Sequence, residues 1–365
     1  MGTALTDQPS FSAVRAEFRS FRAREGAGYS PLYERLADIA SEEPAALEAL
    51  LAAPEPFRRY TLFFAAVHSL LSERPDEPLA AWFPTLTGRP VPREDPAEAF
   101  VGFCVRRRDE LTTRIAARRT QTNEVGRAAA LLPGLAAVGA DRPLGLVELG
   151  ASAGLNLGLD RFSYVYEGGP EIAGPGGVRV RSELRGDWDG LIPAEPPRIG
   201  GRVGLDAEPV DVADDAAVAW LAACVFGDHP ERAARLRAAV ELAREEPPAL
   251  LRATLPDGFA ELLDLVPEDQ APCAMSSWVM PYLSRTAVLA LLDVLSAHSL
   301  RRPVSWVALE PAGSLPGIGV PVPCGAQPPT LLAVLRFDKG VRRDELIAVC
   351  HPHATWMTNI KKSQL

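Results

Sequence analysis

The stretch LVELGASAGLN, residues 146–156, contains the residues whose types and spacing point most directly to chemistry. Gly150, Ser152 and Gly154 fit the G-x-S-x-G pattern, in which a sharp turn presents a serine nucleophile in α/β-hydrolases. The same stretch also fits an apolar strand that carries an acid, Glu148, and runs into a glycine-rich turn that binds a nucleotide cofactor. Ser152 is then either a nucleophile or a small residue beside a cofactor.

The cofactor interpretation accounts for more of this stretch. Gly150 and Gly154 let the backbone turn closely around a ligand, and Ser152 and Ala153 are small for the same reason. A helix is predicted from Ala153 onward, with its N-terminus towards the site. The structural alternative is a tight turn without a ligand. The predicted cofactor-binding residues here are Glu148, Gly150, Ser152, Ala153, Gly154 and Asn156.

A nucleotide cofactor also needs an acid after the second strand, because paired hydrogen bonds from a carboxylate hold the ribose hydroxyls. Asp206 in VGLDAEP is the first choice for this acid, and Glu167 after YVY is the alternative. A solvated loop acid is the structural explanation for either residue.

The segment RRTQTNEVGR, residues 118–127, is unusually polar for a stretch between two apolar helices. Gln121, Asn123 and Glu124 could hydrogen-bond a ligand, and Arg127 could pair with a carboxylate. We therefore expect these four residues to form a lid over the substrate or cofactor. The alternative is that the segment only caps the helix that follows it.

A second polar stretch, SSWVMPYLS at residues 276–284, follows a predicted strand, where a substrate would be expected. Ser276 and Trp278 could line a pocket for a neutral, partly aromatic substrate, and Tyr282 is a catalytic candidate. The stretch lacks the Asn/Asp-Pro-Pro-aromatic signature of enzymes that methylate amino groups. Packing is the alternative explanation for these residues.

The stretch CHPHATW, residues 350–356, places His351 and His353 two residues apart, as in some metal sites. Zinc normally takes at least three protein ligands, and no neighbouring residue completes such a set, so we expect no metal. His351 is instead a candidate general base, and a structural histidine is the alternative.

A serine esterase can be assembled in the order Ser152, Asp338, and His351 or His353. A hydrolase elbow follows a strand in the middle of a sheet, so several strands must precede it. The sequence before Leu146 predicts helices, and it contains no His-Gly-Gly stretch that could supply oxyanion donors. The esterase therefore stays a minor alternative.

Composition narrows the class of protein. The 365 residues are 47% hydrophobic and 23% charged, which is typical of a folded chain with a large core. The net charge of −9 argues against broad nucleic-acid binding, and no apolar run is long enough to cross a bilayer. We expect a cytoplasmic protein with five reduced cysteines, which are Cys104, Cys224, Cys273, Cys324 and Cys350.

The periodicity divides the chain in two. Residues 1–120 predict an N-terminal helical region, and residues 121–365 predict an α/β domain in which short apolar strands alternate with helices. A hairpin insertion is predicted near 162–186, and an antiparallel strand pair is predicted near the C-terminus, at 330–338 and 345–351.

Several short stretches together resemble one bacterial family, the family called domain of unknown function 2332. They are SPLYERLA, LFFAAVHSLL, QTNEVGR, VELGASAGLNL, WLAACVF and HPHATW. The resemblance implies a class I methyltransferase-like domain, a Rossmann-like doubly wound sheet, behind a helical region.

The class I methyltransferases that this resemblance points to carry an acid like Glu148, facing the methionine end of S-adenosylmethionine. The expected function is therefore an S-adenosylmethionine-dependent methyltransferase, or a protein descended from one, that acts on a small molecule. The alternative is a non-catalytic module that binds a ligand or partner. The stretch RATLPDG favours this alternative, because it replaces the Gly-Asp pair expected after the third strand.

Overall fold

The computed structural model of the chain describes residues 9–25, 27–322 and 328–360. They form two compact units. The first contains the residues up to Thr122 and the segment Asp215–Ala234, and the second contains Asn123–Asp214 and the residues from Arg235 onward. The domain division expected from the sequence stays a prediction. Cys324 lies outside the described residues.

The described ranges contain α-helices and strands, together with short 3-10 helices. The α-helices are α1 (Pro9–Arg19), α2 (Phe21–Glu25), α3 (Pro31–Glu42), α4 (Pro44–Leu47), α5 (Tyr60–Ser72), α6 (Pro84–Thr87), α7 (Ala97–Arg106), α8 (Arg108–Ala117), α9 (Ala128–Val138), α10 (Asp215–Ala223), α11 (Pro230–Glu245), α12 (Phe259–Asp264) and α13 (Arg285–His298). The strands are β1 (Leu144–Leu149), β2 (Ser163–Glu167), β3 (Glu171–Ile172), β4 (Arg179–Arg185), β5 (Ile199–Asp206), β6 (Ala249–Arg252), β7 (Ala271–Ser277), β8 (Val304–Pro311), β9 (Thr330–Asp338), β10 (Val341–Cys350) and β11 (Trp356–Asn359).

The first unit is helical around an aromatic core. Helix α3 begins as the sequence predicts, because the Ser30 side chain accepts the Tyr33 N–H and Pro31 occupies the first turn. Asp228 accepts hydrogen bonds from Ser30 Oγ and from the Leu32 N–H, which anchors the segment 215–234 in this unit.

The described residues of the chain include no helix long and apolar enough to cross a membrane.

The second unit is a mixed α/β structure with helices and a large, mostly parallel sheet, as the sequence predicts. The described strands form one sheet in the order β3-β2-β4-β11-β10-β9-β8-β7-β1-β5-β6. Strands β6, β5, β1, β7 and β8 run parallel to one another. The predicted C-terminal antiparallel pair is present as β9 and β10, within an antiparallel run that extends from β8 to β11.

The hairpin predicted near 162–186 is present only in part, as the antiparallel pair of β2 and β3. Strands β2 and β4 pair in parallel, and the two-residue β3 is the antiparallel partner of β2. Strand β4 also pairs with β11, so this segment extends the main sheet at its edge. Alternation of buried and exposed residues identifies a strand and its faces, but it carries no information about the direction of the partner strand.

The stretch 217–245, which reads as one helix in the sequence, forms α10 and α11. The chain breaks between them at residues 224–229, and α11 begins at Pro230. A proline is well accommodated in the first turn of a helix because its missing N–H needs no partner there.

Candidate functional site

Most of the buried polar residues of the second unit lie near the edge of the sheet where β1, β5, β7 and β8 end. The parallel part of the sheet has β1 between β5 and β7, so the chain winds outward from β1 in both directions. In open α/β sheets, ligands bind in the crevice outside the carboxyl ends of the strands, at such a switch point.

Strained backbone marks the same edge. Ser152, Trp278 and Ala354 have positive φ angles of 53°, 59° and 54°, and they lie in the turns after β1, β7 and β10. Strand β10 runs parallel to β8, so all three turns leave the sheet at one edge. Positive φ is costly for residues other than glycine, and such strain concentrates at functional sites.

The glycine-rich turn after β1 is tightly packed. The N–H groups of Gly150 and Ala151 both donate to Leu205 O, over 2.8 and 3.1 Å. A Cβ at Gly150 would lie 2.5 Å from Val279 Cγ2, and one at Gly154 would lie 2.8 Å from Pro248 Cγ. Glycine is therefore favoured at both positions for two reasons. A Cβ would collide with neighbouring protein groups, and both residues have a positive φ.

The helix predicted from Ala153 onward was wrong in type and start. A 3-10 helix runs from Leu155 to Arg161, and Gly154 precedes it in the left-handed conformation. The left-handed residue interrupts helical hydrogen bonding, so the first helical residue comes two positions later than the sequence pattern indicates.

Two acids flank this turn. Glu148 is 3% exposed, and burial together with the negative charge of Asp206 raises its pKa well above the ordinary value. Asp206, at the end of the neighbouring β5, accepts the Ser152 N–H at one carboxyl oxygen and the Glu208 N–H at the other, both over 2.8 Å. The two acids at adjacent strand ends are therefore coupled electrostatically, and the turn is attached to Asp206.

The segment Asn123–Arg127 connects all three strained turns. Asn123 Nδ2 donates to Ala151 O over 2.8 Å, in the turn after β1. The Arg127 side chain donates to the O atom of Ser277, the last residue of β7, over 3.1 Å, and to Pro352 O, after β10, over 2.9 Å. Arg127 is only 5% exposed, and its guanidinium lies 5.6 Å from the centre of the Trp278 ring. The segment Asn123–Arg127, which the sequence predicts as part of a lid, therefore links the three turns from the interior, and we call it the brace.

Glu124 is the buried acid of this brace. One carboxyl oxygen accepts the Gly126 N–H over 2.9 Å and lies 3.3 Å from an Arg235 nitrogen. The other lies 3.0 Å from His353 Nδ1. This side chain therefore links the segment to the turn after β10 and also caps the 3-10 turn Val125–Arg127.

A further buried acid, Glu310, is not among the site residues predicted from the sequence. Its carboxyl oxygens accept the N–H groups of Val279 and Met280 over 3.0–3.2 Å, and it also bonds the Ser276 side chain. Burial raises the pKa of Glu310 to about 7. The available signal was an acid inside the apolar strand VSWVALEP, since acids are rarely buried without a specific role.

The remaining predicted residues have different surroundings. Ser276 is fully buried and accepts the Trp306 indole N–H, and Trp278 donates its own indole N–H to Thr330 Oγ1. Tyr282 is 84% exposed, and His351 Nδ1 accepts the His353 N–H over 3.2 Å. Gln121 belongs to the first unit, where its backbone bonds the Cys224 thiol. The predicted roles of these residues stay predictions.

Glu167 does not lie near the site. Seven strand-to-strand steps separate its strand β2 from β1, which corresponds to roughly 30 Å. Strand β2 also runs opposite to β1, so Glu167 ends at the other edge of the sheet. Of the two candidate acids, Asp206 is therefore the one that lies on the strand next to that of Glu148.

The esterase triad fails for a similar reason. Asp338 ends β9 one residue after Phe337, which is the register partner of Val304, the first residue of β8, whereas Ser152 lies in the turn after β1. This places them at opposite edges, roughly 20 Å apart along the strand direction.

The described ranges also contain no group of three His, Cys, Asp or Glu side chains arranged to hold a metal ion.

The fold and this edge define the class as a mostly parallel α/β protein with a polar site at the carboxyl ends of its strands. The chain belongs to the family described as "Uncharacterized protein conserved in bacteria (DUF2332)", whose model matches residues 15–359. No curated protein and no solved structure matches the chain.

Proposed function

We propose that the protein is an S-adenosylmethionine-dependent methyltransferase, or a protein derived from one, that acts on a small molecule. The carrying observation is the pair Glu148 and Asp206, at the ends of adjacent strands β1 and β5 and coupled electrostatically across the glycine-rich turn. The strand order β6-β5-β1-β7-β8 supports the proposal, because it is the 3-2-1-4-5 order of nucleotide-binding sheets.

The residues present fit this cofactor at both ends. Each oxygen of Asp206 accepts one backbone N–H, and a carboxylate oxygen has two acceptor sites, so both oxygens could still accept a ribose hydroxyl. Glu148 Oε2 is buried and accepts no hydrogen bond from the residues that the structure describes, so it could receive one from a ligand. The positive charge of the cofactor would oppose the effect of burial on Glu148.

The bound cofactor would supply an electrophilic methyl group, and the work of the protein is then mainly positioning and exclusion of water. Arg127 holds the turns after β7 and β10 at fixed positions through two backbone carbonyls. The indole of Trp278, fixed by Thr330, provides an apolar surface next to that brace for the substrate. His351 is the candidate general base at this edge.

Calorimetric titration with S-adenosylhomocysteine tests the proposal, because this product lacks only the transferred methyl group. We expect one site per chain and at least tenfold weaker binding by Asp206→Asn. Glu167→Gln is the matched control, since it changes an exposed acid at the end of β2, and it should bind as the unmodified protein does. Absence of both binding heat and a melting shift at millimolar ligand would overturn the proposal.

A non-catalytic ligand-binding module is the second candidate. Strand β6 ends at Arg252 and is followed by Ala253, Thr254 and Leu255, so no acid stands directly after the third strand of the series to contact an adenine. Binding of S-adenosylhomocysteine without methyl transfer to any substrate in a broad metabolite screen would favour this candidate.

A further inference from the structure

The turn after β7 has a conformation that its own residues do not favour. Trp278 has a φ angle of 59°, and a bulky aromatic residue rarely adopts the left-handed conformation. Its backbone N–H donates to Leu309 O over 3.0 Å, and its indole N–H donates to Thr330 Oγ1 over 3.1 Å. Such strain persists only where the surrounding structure holds the backbone in place, so further groups must fix this turn.

Glu310 supplies the further contacts. It is 2% exposed, and its carboxyl group accepts the N–H groups of Val279 and Met280, the two residues after Trp278, over 3.0–3.2 Å. It also bonds the side chain of Ser276, near the end of β7. Residues on both sides of Trp278 are therefore attached to one carboxyl group.

The polar groups around this carboxyl are donors. The Ser276 oxygen already accepts the Trp306 indole N–H over 3.1 Å, so its own hydrogen is left for Glu310, and the backbone N–H groups can only donate. The positive charge of Arg127 also favours the ionised form. An ionised carboxylate accepts at both oxygens, whereas a protonated carboxyl group or an amide would direct a donor towards these donors. Burial raises the pKa of Glu310 to about 7, so the ionised and the protonated form are both populated near neutral pH.

Val279 extends this network to the glycine-rich turn after β1. A Cβ at Gly150 would lie 2.5 Å from Val279 Cγ2 and 3.0 Å from Val279 Cγ1, so the two residues are in direct contact. Because the Val279 N–H is bonded to Glu310, the position of this side chain depends on the same carboxyl group. Glu310 thus links the turn after β7 to the turn after β1.

We propose that Glu310 is a positioning residue, whose carboxylate fixes the turn after β7 and thereby sets the orientation of the Trp278 indole and the contact of Val279 with the glycine-rich turn. The conformational part of this proposal stands on the contacts of the chain alone. Its consequence for ligands rests on the proposed function, in which the Trp278 indole faces the substrate and the glycine-rich turn adjoins the cofactor.

Fluorine NMR of the protein labelled with 5-fluorotryptophan provides the test. The chain has six tryptophans, and the spectrum of Trp278→Phe identifies the resonance of Trp278. We expect this resonance to move between about pH 5.5 and about pH 8.5, with a midpoint at about pH 7. Glu310→Gln should shift the resonance and abolish its dependence on pH, which the loss of a merely structural contact would not do.

Other titrating groups at this edge need a control. Of the groups around Glu310, Arg127 is charged and keeps its charge throughout this range, whereas the contacts from β7, from the following turn and from β9 are uncharged. Histidine is a side chain type that titrates near neutral pH, and His351 and His353 follow β10 at the same edge. His351→Gln and His353→Gln should therefore each keep the midpoint of the Trp278 resonance.

Glu345→Gln is the matched control for the loss of an acid. Glu345 lies on β10, where it pairs with Arg336 over 3.0 Å, and its side chain is 37% exposed. This variant should leave the Trp278 resonance and its dependence on pH unchanged. Glu310→Asp keeps a carboxyl group and should retain a pH-dependent resonance, so it tests the proposal if Glu310→Gln does not fold.

Calorimetric titration with S-adenosylhomocysteine separates this proposal from the proposed function. If this probe binds, Glu310→Gln should weaken it at least about threefold, within the usual range for a residue that acts through a neighbour, and an unchanged affinity would overturn the link to the glycine-rich turn. If the unmodified protein does not bind the probe, the proposed function fails, and the fluorine spectra still decide the role of Glu310. A Trp278 resonance that does not respond to pH, or that keeps its dependence on pH in Glu310→Gln, would overturn the positioning role.

Discussion

Replacement of Arg127 by alanine should destabilise the second unit strongly, because this side chain braces two turns from the interior. Its two hydrogen bonds reach Ser277 O and Pro352 O over 3.1 and 2.9 Å, and the residue is 5% exposed. A hydrogen bond to a charged group contributes about 1.5–3 kcal/mol, and both carbonyls would lose their charged donor. We expect a loss of about 3–5 kcal/mol in the free energy of unfolding, since the two bonds are not fully additive.

Urea unfolding followed by tryptophan fluorescence measures this loss, and Trp278 lies beside the changed residue. Arg127→Lys should lose about half as much, since lysine keeps the charge but not the planar fork of donors. Arg302→Ala is the control, because Arg302 also donates to backbone carbonyls, at Val266, Pro267 and Gln270, away from the site. It should lower stability without weakening S-adenosylhomocysteine binding.

A loss below about 1 kcal/mol in Arg127→Ala would refute the idea of an interior brace, because solvent would then satisfy the two carbonyls equally well. If Arg302→Ala weakened S-adenosylhomocysteine binding as much as Arg127→Ala does, the effect of Arg127 on the site would not be local.

Further predictions concern single residues of the same edge. The pKa of Glu310 is raised from 4.5 to about 7, so the folded protein keeps a proton that the unfolded chain releases. The free energy of unfolding therefore falls as the pH rises from about 4.5 to about 7, and Glu310→Gln should remove roughly 3 kcal/mol of that fall in urea titrations across this range. Gly150→Ala should lower thermal stability even without ligand, because φ is 68° and the new Cβ would meet Val279; an unchanged melting temperature would contradict this packing. Ser152→Ala should bind S-adenosylhomocysteine within about tenfold of the unmodified protein, as expected for one neutral hydrogen bond, and labelling of Ser152 by a fluorophosphonate would instead indicate a nucleophile. Tyr282→Ala should change the free energy of unfolding by less than about 0.5 kcal/mol, since its side chain is 84% exposed, and a larger change in urea unfolding would show an unrecognised contact.

Local patterns in the sequence are sufficient for several elements of this protein. The apolar run LGLVEL predicts β1, and Ser30 and Pro31 predict the start of α3. The runs at 330–338 and 345–351 predict two adjacent antiparallel strands. Each of these depends on residues within a few positions of one another, so periodicity and capping chemistry contain the necessary information.

The sequence also indicates where on the sheet a site would lie. Glu148 followed by Gly150 and Gly154 marks a strand that ends in a tight turn, and polar groups at such ends face the crevice of an α/β sheet. The polarity of residues 121–127 is visible in the sequence. The burial of Glu124 and Arg127 within this segment, however, is a property of the turns that surround them.

Only the tertiary structure decides which of the candidate residues come together. Glu167 and Asp206 are equivalent in sequence, as acids after apolar runs, but seven strand steps and the reversed direction of β2 separate Glu167 from β1. Arg127 reaches carbonyls 150 and 225 positions further along the chain, and Glu310 accepts N–H groups about 30 positions away. Strand order and direction are set by the packing of whole faces against one another, so contacts of this length are determined by the assembled sheet and not by any local pattern.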